Sequence, residues 1–302
     1  MALTQTDLAI ELLAGAPDAH AVHETRKALK RLRALLRLLA RELGEDVYTR
    51  ENAALRDIAA QLAGARDAAV MLATLEALIE RHPRKLGRRR SVRELRRRLR
   101  AEHERVQRLV LSDPAVHANV LGELHAFRWR AAAWKLSDRA GIELVGADLE
   151  RIYRQGRVRY RRVAARKGER TIAMHQWRKR VKDLRYVAEM LDRRRRGDGA
   201  RSRDARLRKL ARGADELGEL LGEEHDLAVF AERLRAGARS EHQRTWRTGR
   251  RTREQLLALI AKRRRVLRKR ALQKGKRLYE ARPGSFTRRI RAAHARGARP
   301  LS

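Results

Sequence analysis

The sequence contains no cysteine, which excludes disulfide bonds and zinc sites built from cysteine ligands. Aromatic residues make up only 4% of the 302 residues and proline occurs five times, a composition that favours long helices over β-sheets. No uncharged apolar run is long enough to predict a transmembrane helix. The first residues carry neither a basic segment nor a long apolar stretch, so we expect no signal peptide and a cytoplasmic location.

Acidic residues are scarce relative to basic ones. Lysine and arginine number 75 against 37 aspartates and glutamates, which gives a formal net charge of +38. Such a charge opposes compaction and attracts polyanions, such as nucleic acid, inorganic polyphosphate, inositol phosphates or an anionic membrane surface. Hydrophobic residues still make up 43% of the chain, enough to form buried cores, so the sequence is not that of a disordered basic tail.

A motif of one histidine and several cations occurs twice, about half a chain length apart. The pattern H-x-x-R-K-x-x-K-x-L-R begins at His23 in the first copy and at His175 in the second. Segments 62–75 and 221–234 form a second, weaker pair of similar stretches. Two repeats in the same order indicate an internal duplication.

We therefore predict an all-α protein of two pseudo-symmetric four-helix bundles, formed by residues 1–143 and 144–302. Gly284 onward is expected to be a frayed basic tail. The apolar spacing and the helix start and stop signals predict helices at about 18–42, 47–81, 91–111, 113–136, 148–166, 170–194, 204–236 and 241–274.

Both copies of the motif predict an amphipathic helix with one apolar face and one basic face. Like charges at i, i+3 and i+4 cost ~0.2–0.5 kcal/mol per pair in isolated helices, so we expect an external polyanion to neutralise this face. Glu189 stands in the second copy where the first has an arginine, which predicts weaker binding there. The candidate binding residues are His23, Arg26, Lys27, Lys30, Arg33 and Arg37 in the first copy, and His175, Arg178, Lys179, Lys182 and Arg185 in the second.

These motifs resemble those of the CHAD family, named for conserved histidines in an α-helical domain. The stretch from Met174 to Tyr186 looks like the downstream motif of the family, and the copy around His23 looks like its upstream motif. The segments that end at Asp67 and Asp226 are similar to its L-G-x-x-[RN]-D-x-x-V elements. The resemblance covers nearly the whole chain. It implies two related four-helix bundles, basic surfaces along a central groove or pore, binding of inorganic polyphosphate and targeting to polyphosphate granules.

We therefore predict a non-catalytic protein that binds inorganic polyphosphate through the repeated basic faces and associates with polyphosphate granules. The alternative is general nucleic-acid binding, which the charge supports, although no helix-turn-helix, zinc-finger or RNA-binding strand motif occurs. An enzyme acting on phosphoanhydrides would need metal-binding carboxylates or a Walker-type glycine loop, and the sequence offers neither. No catalytic residue, metal ligand or cofactor is predicted.

The histidines of the motif and several residues outside it are interpreted separately. His23 and His175 are either phosphate donors that bind better when protonated or histidines that pack or cap a helix. Asp67 and Asp226 are expected to pair with arginines and to orient the helices. The arginine-rich runs, including 262–265, are expected to be mainly solvated surface. The aromatic residues Trp134, Trp177 and Tyr186 are expected to pack in the core.

Overall fold

The computed structural model describes residues 1–15, 18–62, 64–111, 113–137, 141–166, 170–197, 205–237 and 245–297. These residues contain twelve α-helices, one π-helical turn (Pro83–Gly87) and no β-strand, so the all-α prediction is confirmed. The α-helices are α1 (Ala2–Leu13), α2 (Ala19–Leu38), α3 (Ala40–Leu43), α4 (Glu45–Gln61), α5 (Gly64–Arg81), α6 (Arg90–Leu111), α7 (Pro114–Ala132), α8 (Gly141–Ala165), α9 (Thr171–Gly197), α10 (Ala205–Ala236), α11 (Arg250–Leu278) and α12 (Pro283–Gly297).

Aspartate caps begin two helices of the first half. The Asp18 carboxylate accepts a hydrogen bond from the backbone N–H of Ala21 at 2.7 Å, at the start of α2. Asp113 caps α7 in the same way, and the proline that follows it occupies the first helical position, as the sequence predicts. The sequence from Ser91 to Glu94 has the S-x-x-E pattern that predicts a capping box, but this prediction is wrong, because α6 already begins at Arg90. The Ser91 hydroxyl instead lies 2.6 Å from that of Thr252 on α11.

A first core joins α1, α2, α4 and α7, and each of these helices packs against two others of the set. The apolar face of α2 supplies the middle of this core, as its periodicity predicts. The largest fully buried side chains contributed by these helices are Leu13, Leu29, Leu32, Leu36, Leu55, Ile58, Leu62 and Phe127.

A second core joins α8, α9, the first part of α10 and the last part of α11, with α12 packed on α8. Trp177 of α9 is fully buried in this core, which confirms the expectation that it is a packing residue. Gly275 of α11 permits this packing, because a Cβ atom there would lie 2.5 Å from Cζ2 of Trp177. Glycine is therefore required where α11 lies against the ring of Trp177.

A third core mixes the two predicted halves of the chain. The α5–α6 hairpin from the first half packs on the last part of α10 and the first part of α11, around Leu75, Leu95, Phe230 and Leu256. The two basic helices α2 and α9 also pack against each other. The division into residues 1–143 and 144–302 stays a prediction, and the third core draws side chains from both sides of it.

Several helical segments differ from the sequence prediction. α8 begins at Gly141 rather than at 148, and α11 begins at Arg250 rather than at 241. α1 was not predicted, although it packs on both α2 and α7. The single helix predicted over 47–81 is divided into α4 and α5 near Leu62. The tail expected from Gly284 is instead α12, because Phe286 and Ile290, one turn apart, both pack against the second core. Another arginine-rich run of the sequence, 193–196, has side chains that lie outside the described residues, as does the whole of 298–302.

Candidate polyanion-binding site

The two copies of the motif fall on α2 and α9, and both are amphipathic as predicted. In α9 the residues expected on the apolar face, including Met174, Val181 and Leu184, are buried. The candidate cations lie on the opposite side and are partly or fully exposed. His23 and Lys179 are the most open of the eleven candidates. The sequence pattern therefore assigned the buried and polar faces of both helices correctly.

Two arginines of α2 are anchored on α4. Nη1 of Arg26 donates to the backbone carbonyl of Ala59 at 2.9 Å, and Nε of Arg33 donates to Oδ1 of Asn52 at 3.2 Å. Both acceptors are uncharged, so these hydrogen bonds fix the positions of the guanidinium groups without cancelling their charge.

Arg37 forms an interhelical ion pair that its position in the motif did not predict. Its side chain is only 12% exposed, and Nη1 lies 3.1 Å from Oδ1 of Asp183 on α9. The same group donates to the backbone carbonyl of Arg33 at 3.0 Å. Burial lowers the pKa of Arg33, and the neighbouring charge of Arg37 acts in the same direction. Arg37 therefore links α2 to α9 through an ion pair that is largely buried.

Three cations of the second copy line a cavity of about 560 Å³ between α5, α9 and α10. Arg178, Lys182 and Arg185 of α9 contribute to one wall, and Arg81 at the end of α5 contributes to another. Sequence reasoning missed Arg81, because it lies far from both motifs along the chain. The cavity thus brings cations from both halves of the chain around one space.

The wall formed by α10 contributes carboxylates to the cavity. Arg178 lies against Gly222 of the same helix, where a Cβ atom would make only an ordinary contact at 3.8 Å with its Nε and Nη2 atoms. Glu223, which also lines the cavity, accepts hydrogen bonds from Arg81 at 2.9 Å and from Arg263 at 2.5 Å. Burial raises the pKa of Glu223, but these two arginines outweigh it and the net pKa is lowered.

His175 forms a pair with His225, and the sequence prediction did not foresee this contact. Their Nδ1 atoms lie 3.3 Å apart and the ring centroids 4.5 Å apart. Burial lowers the pKa of each ring to about 4, and in both cases neighbouring cations act in the same direction. Both imidazoles are therefore neutral near pH 7. If His175 donates a hydrogen bond to phosphate near pH 7, it therefore does so as a neutral ring.

The two aspartates of the weaker repeat have different surroundings. Asp67 is exposed on α5, and within the described part of the chain it forms no ion pair, so the arginine partner expected for it is not found there. Its negative charge acts to raise the pKa of His225, but burial and the neighbouring cations outweigh it and lower that pKa. Asp226 lines the cavity together with Arg178 and Lys182.

The arginine run at 262–265 is more than solvated surface. Arg264 and Arg268, one turn apart on α11, both bind Oε1 of Glu224, at 2.9 and 2.8 Å. Glu224 is 1% exposed, so these arginines compensate a buried charge. Arg263 binds Glu223, the next carboxylate of the same helix. The sequence signal for these contacts was the adjacent glutamate pair on α10.

A family model described as the CHAD domain matches residues 2–235. The chain belongs to the CHAD domain family. PptA from Streptomyces chartreusis has the same fold, with a TM-score of 0.61 and 17% sequence identity over 93% of this chain and 96% of that chain. No curated protein matches the sequence. Membership of the CHAD family supports a role related to polyphosphate.

Two further properties bear on this CHAD protein. No helix among the described residues is long and apolar enough to cross a membrane. The same residues contain no group of three or more histidine, aspartate or glutamate side chains arranged to hold a metal ion.

Proposed function

We propose that this CHAD protein binds inorganic polyphosphate without transforming it, and that it associates with polyphosphate granules in the cytoplasm. The observation that carries the proposal is the convergence of Arg178, Lys182 and Arg185 with Arg81 around one cavity. These groups come from helices that the sequence places far apart, so their convergence is a property of the fold. The anchored arginines of α2 extend the same kind of surface on the first copy.

Polyphosphate suits such a surface because it offers charge and little else. Each phosphate is negative, the chain is flexible, and there is no base to stack on or to read. Cations on successive helix turns repeat about every 5.4 Å and form a ladder along such a chain. Arginine can bind phosphate oxygens through two N–H groups, whereas lysine acts as a mobile point charge. Binding of this kind releases counterions, so the affinity falls steeply with salt.

The surroundings of the cavity support binding without catalysis. Enzymes that transfer phosphoryl groups commonly use carboxylates to hold metal ions at the reacting phosphate. Glu223 at the cavity already accepts hydrogen bonds from Arg81 and Arg263, and the neighbouring Glu224 is buried between two arginines of α11. Glu223 and Glu224 therefore stabilise the helix packing and position the cations, while Asp226 lines the cavity beside Arg178 and Lys182.

The test uses two variants that each remove four positive charges. The motif variant changes cations of both basic faces: Arg26→Gln, Lys30→Gln, Arg178→Gln and Lys182→Gln. The surface variant changes exposed cations of α8 and α11: Arg161→Gln, Arg162→Gln, Lys269→Gln and Arg270→Gln. Binding of fluorescent long-chain polyphosphate is measured for both variants, with helicity checked by circular dichroism.

We expect the motif variant to lose at least tenfold in affinity and the surface variant to retain nearly wild-type affinity. Equal losses in the two variants would contradict the assignment of the basic faces. Duplex DNA at equal phosphate concentration serves as the competitor, and preferential binding of DNA would favour the nucleic-acid alternative. Shortening of polyphosphate during incubation with Mg²⁺ or Mn²⁺, followed on gels, would contradict the non-catalytic part of the proposal.

A further inference from the structure

A second cavity lies away from the basic faces of α2 and α9. Its volume is about 1080 Å³, and it is bounded by the first turns of α10, the end of α11 and α12, with Tyr153 of α8 at its base. None of the eleven candidate residues lines it. The cavity is therefore separate from the proposed polyphosphate site, and neither motif accounts for it.

Part of the cavity lining, here called the apolar side, consists of the partly exposed side chains of Leu278, Ala281 and Phe286. The rings of Tyr153 and Phe286 are stacked, with centroids 4.0 Å apart and planes inclined by 8°. The Tyr153 hydroxyl donates to the backbone carbonyls of Leu278 and Ala281, at 3.1 and 3.2 Å, so its polar atom is satisfied by the α11–α12 connection. Tyr153, Leu210 and Ile290 lie behind this surface in the second core and are at most 8% exposed. This surface can bury a planar or aliphatic group of a ligand.

The remaining lining is strongly basic. Two carboxylates, Glu216 and Glu280, stand among seven cations, and Glu216 forms an ion pair with Lys274. Within the part of the chain that the structure describes, five of the cations form no ion pair. These five are Arg208, Lys209, Arg212, Arg277 and Arg289.

The cations are distributed along the cavity. On α10 they extend from Arg206 to Arg212. This stretch covers nearly two turns of the helix, or about 9 Å along its axis. Arg277 on α11 and Arg289 on α12 contribute to other parts of the lining. A ligand with a single negative charge would leave most of these cations uncompensated. Several connected anionic groups match the arrangement better.

We propose that this cavity binds a nucleoside triphosphate, with the base against the apolar side and the phosphates along the cations of α10, α11 and α12. Inorganic polyphosphate has no apolar part, so it would leave the aromatic side unused. A fatty acid would use that side but carries one charge. The volume is close to the range of about 300–1000 Å³ that is usual for small-molecule sites.

The first test compares ATP with tripolyphosphate and adenosine by calorimetry on the full chain. Tripolyphosphate carries the charge without the base, and adenosine carries the base without the charge. We expect ATP to bind at least tenfold more tightly than either. Equal affinity for ATP and tripolyphosphate would overturn the proposal, because the apolar side would then contribute nothing. Stronger binding of lauryl phosphate than of ATP would also overturn it, in favour of an acyl ligand.

A second test separates this cavity from the polyphosphate site. A pocket variant, Lys209→Gln with Arg212→Gln, is expected to lose at least tenfold in ATP affinity and to keep wild-type polyphosphate affinity. The motif variant is expected to keep its ATP affinity. Loss of ATP binding in the motif variant, with none in the pocket variant, would show that ATP occupies the polyphosphate site and would overturn the proposal.

A third variant tests the apolar side without changing charge. Gly213 lines the cavity, and a Cβ atom there would meet only Cδ1 of Leu278, at an ordinary 3.5 Å. Gly213→Met is therefore expected to fold and to occupy part of the space assigned to the base. It should reduce ATP affinity at least fivefold and leave tripolyphosphate affinity unchanged. Unchanged ATP affinity in this variant, with helicity intact, would contradict the proposed position of the base.

Discussion

Nδ1 of His175 lies 3.3 Å from Nδ1 of His225, which connects the first residue of the second motif to α10. One of these nitrogens donates a hydrogen and the other accepts it, so the contact requires at least one neutral ring. The cations Arg178, Lys179 and Lys182 of α9 surround the pair, while Asp67 approaches from α5. The histidine that marks the motif thus contributes to helix packing at the edge of the cationic surface.

This contact predicts that stability depends on pH in a defined window. The pKa of each ring is lowered to about 4 in the folded protein, against an ordinary value of about 6.5. Between these values the unfolded chain binds protons that the folded chain does not, so stability is greatest above pH 6.5 and falls as the pH is lowered toward 4. His225→Asn should make this dependence of Tm on pH less steep.

The matched control for this measurement is His125→Asn, at an exposed position on α7. It should reproduce the wild-type dependence, because it contacts neither ring of the pair. Identical pH dependence of Tm in the wild type and in His225→Asn would contradict this account of the histidine pair.

The Arg37–Asp183 ion pair is expected to stabilise the packing of α2 on α9. Asp183→Asn would leave the Arg37 guanidinium buried without an anion, and such a loss typically costs ~3–5 kcal/mol. Asp57→Asn is the control, because its pair with Arg56 is more than 60% exposed on both sides and contributes only ~0–1 kcal/mol. Urea unfolding of both variants measures the difference. Similar losses of unfolding free energy in the two variants would show that the buried pair contributes no more than the exposed one.

Gly275 is predicted to be indispensable for the position of α9. In Gly275→Ala the new methyl group would lie 2.5 Å from Cζ2 of Trp177, so the helices must move apart, at a typical cost of ~1–3 kcal/mol. Gly213→Ala on α10 makes only an ordinary contact and should be neutral or stabilising by up to ~1 kcal/mol. Thermal unfolding compares the two, and equal stability of both variants would refute the packing argument.

Glu189 is predicted to weaken polyphosphate binding by the second copy. Its Oε1 accepts a hydrogen bond from Nε of Arg185 at 2.8 Å, so it partly neutralises a cation of the cavity. Glu189→Gln should therefore raise the affinity for polyphosphate several-fold at low salt. Glu254→Gln is the control, because Glu254 binds Arg250 with the same spacing and the same 2.8 Å distance but outside the cavity. An equal gain in both variants would indicate only a general charge effect.

Periodicity predicted the helical class and the two faces of α2 and α9, because the alternation of Leu29, Leu32 and Leu36 with cations determines which side is buried. It could not predict that α5 and α6 pack on α10 and α11, because helix periodicity does not specify the partner. The arginine-rich end of the chain obscured α12, whose short apolar face consists of Phe286 and Ile290.

The candidate site was predictable only where its residues belong to the repeat. Arg178 and Lys182 were identified from the motif, whereas Arg81 reaches the cavity through the α5–α10 packing that the sequence does not reveal. Arg37 fits the pattern of the basic face, but the approach of α9 brings Asp183 next to it. A tertiary contact therefore gives Arg37 a partner that the sequence pattern does not reveal.

The salt dependence of polyphosphate binding measures how many phosphate contacts the repeated basic faces make. The dissociation constant for long-chain polyphosphate is measured from low to physiological salt for the wild type, the motif variant and the surface variant. Each lost phosphate contact should lower the slope of log Kd against log salt by ~0.7, as for single-stranded nucleic acid. We expect a slope lower by about 3 in the motif variant and little change in the surface variant. The same decrease in both variants would contradict this expectation, because binding would then follow net charge alone.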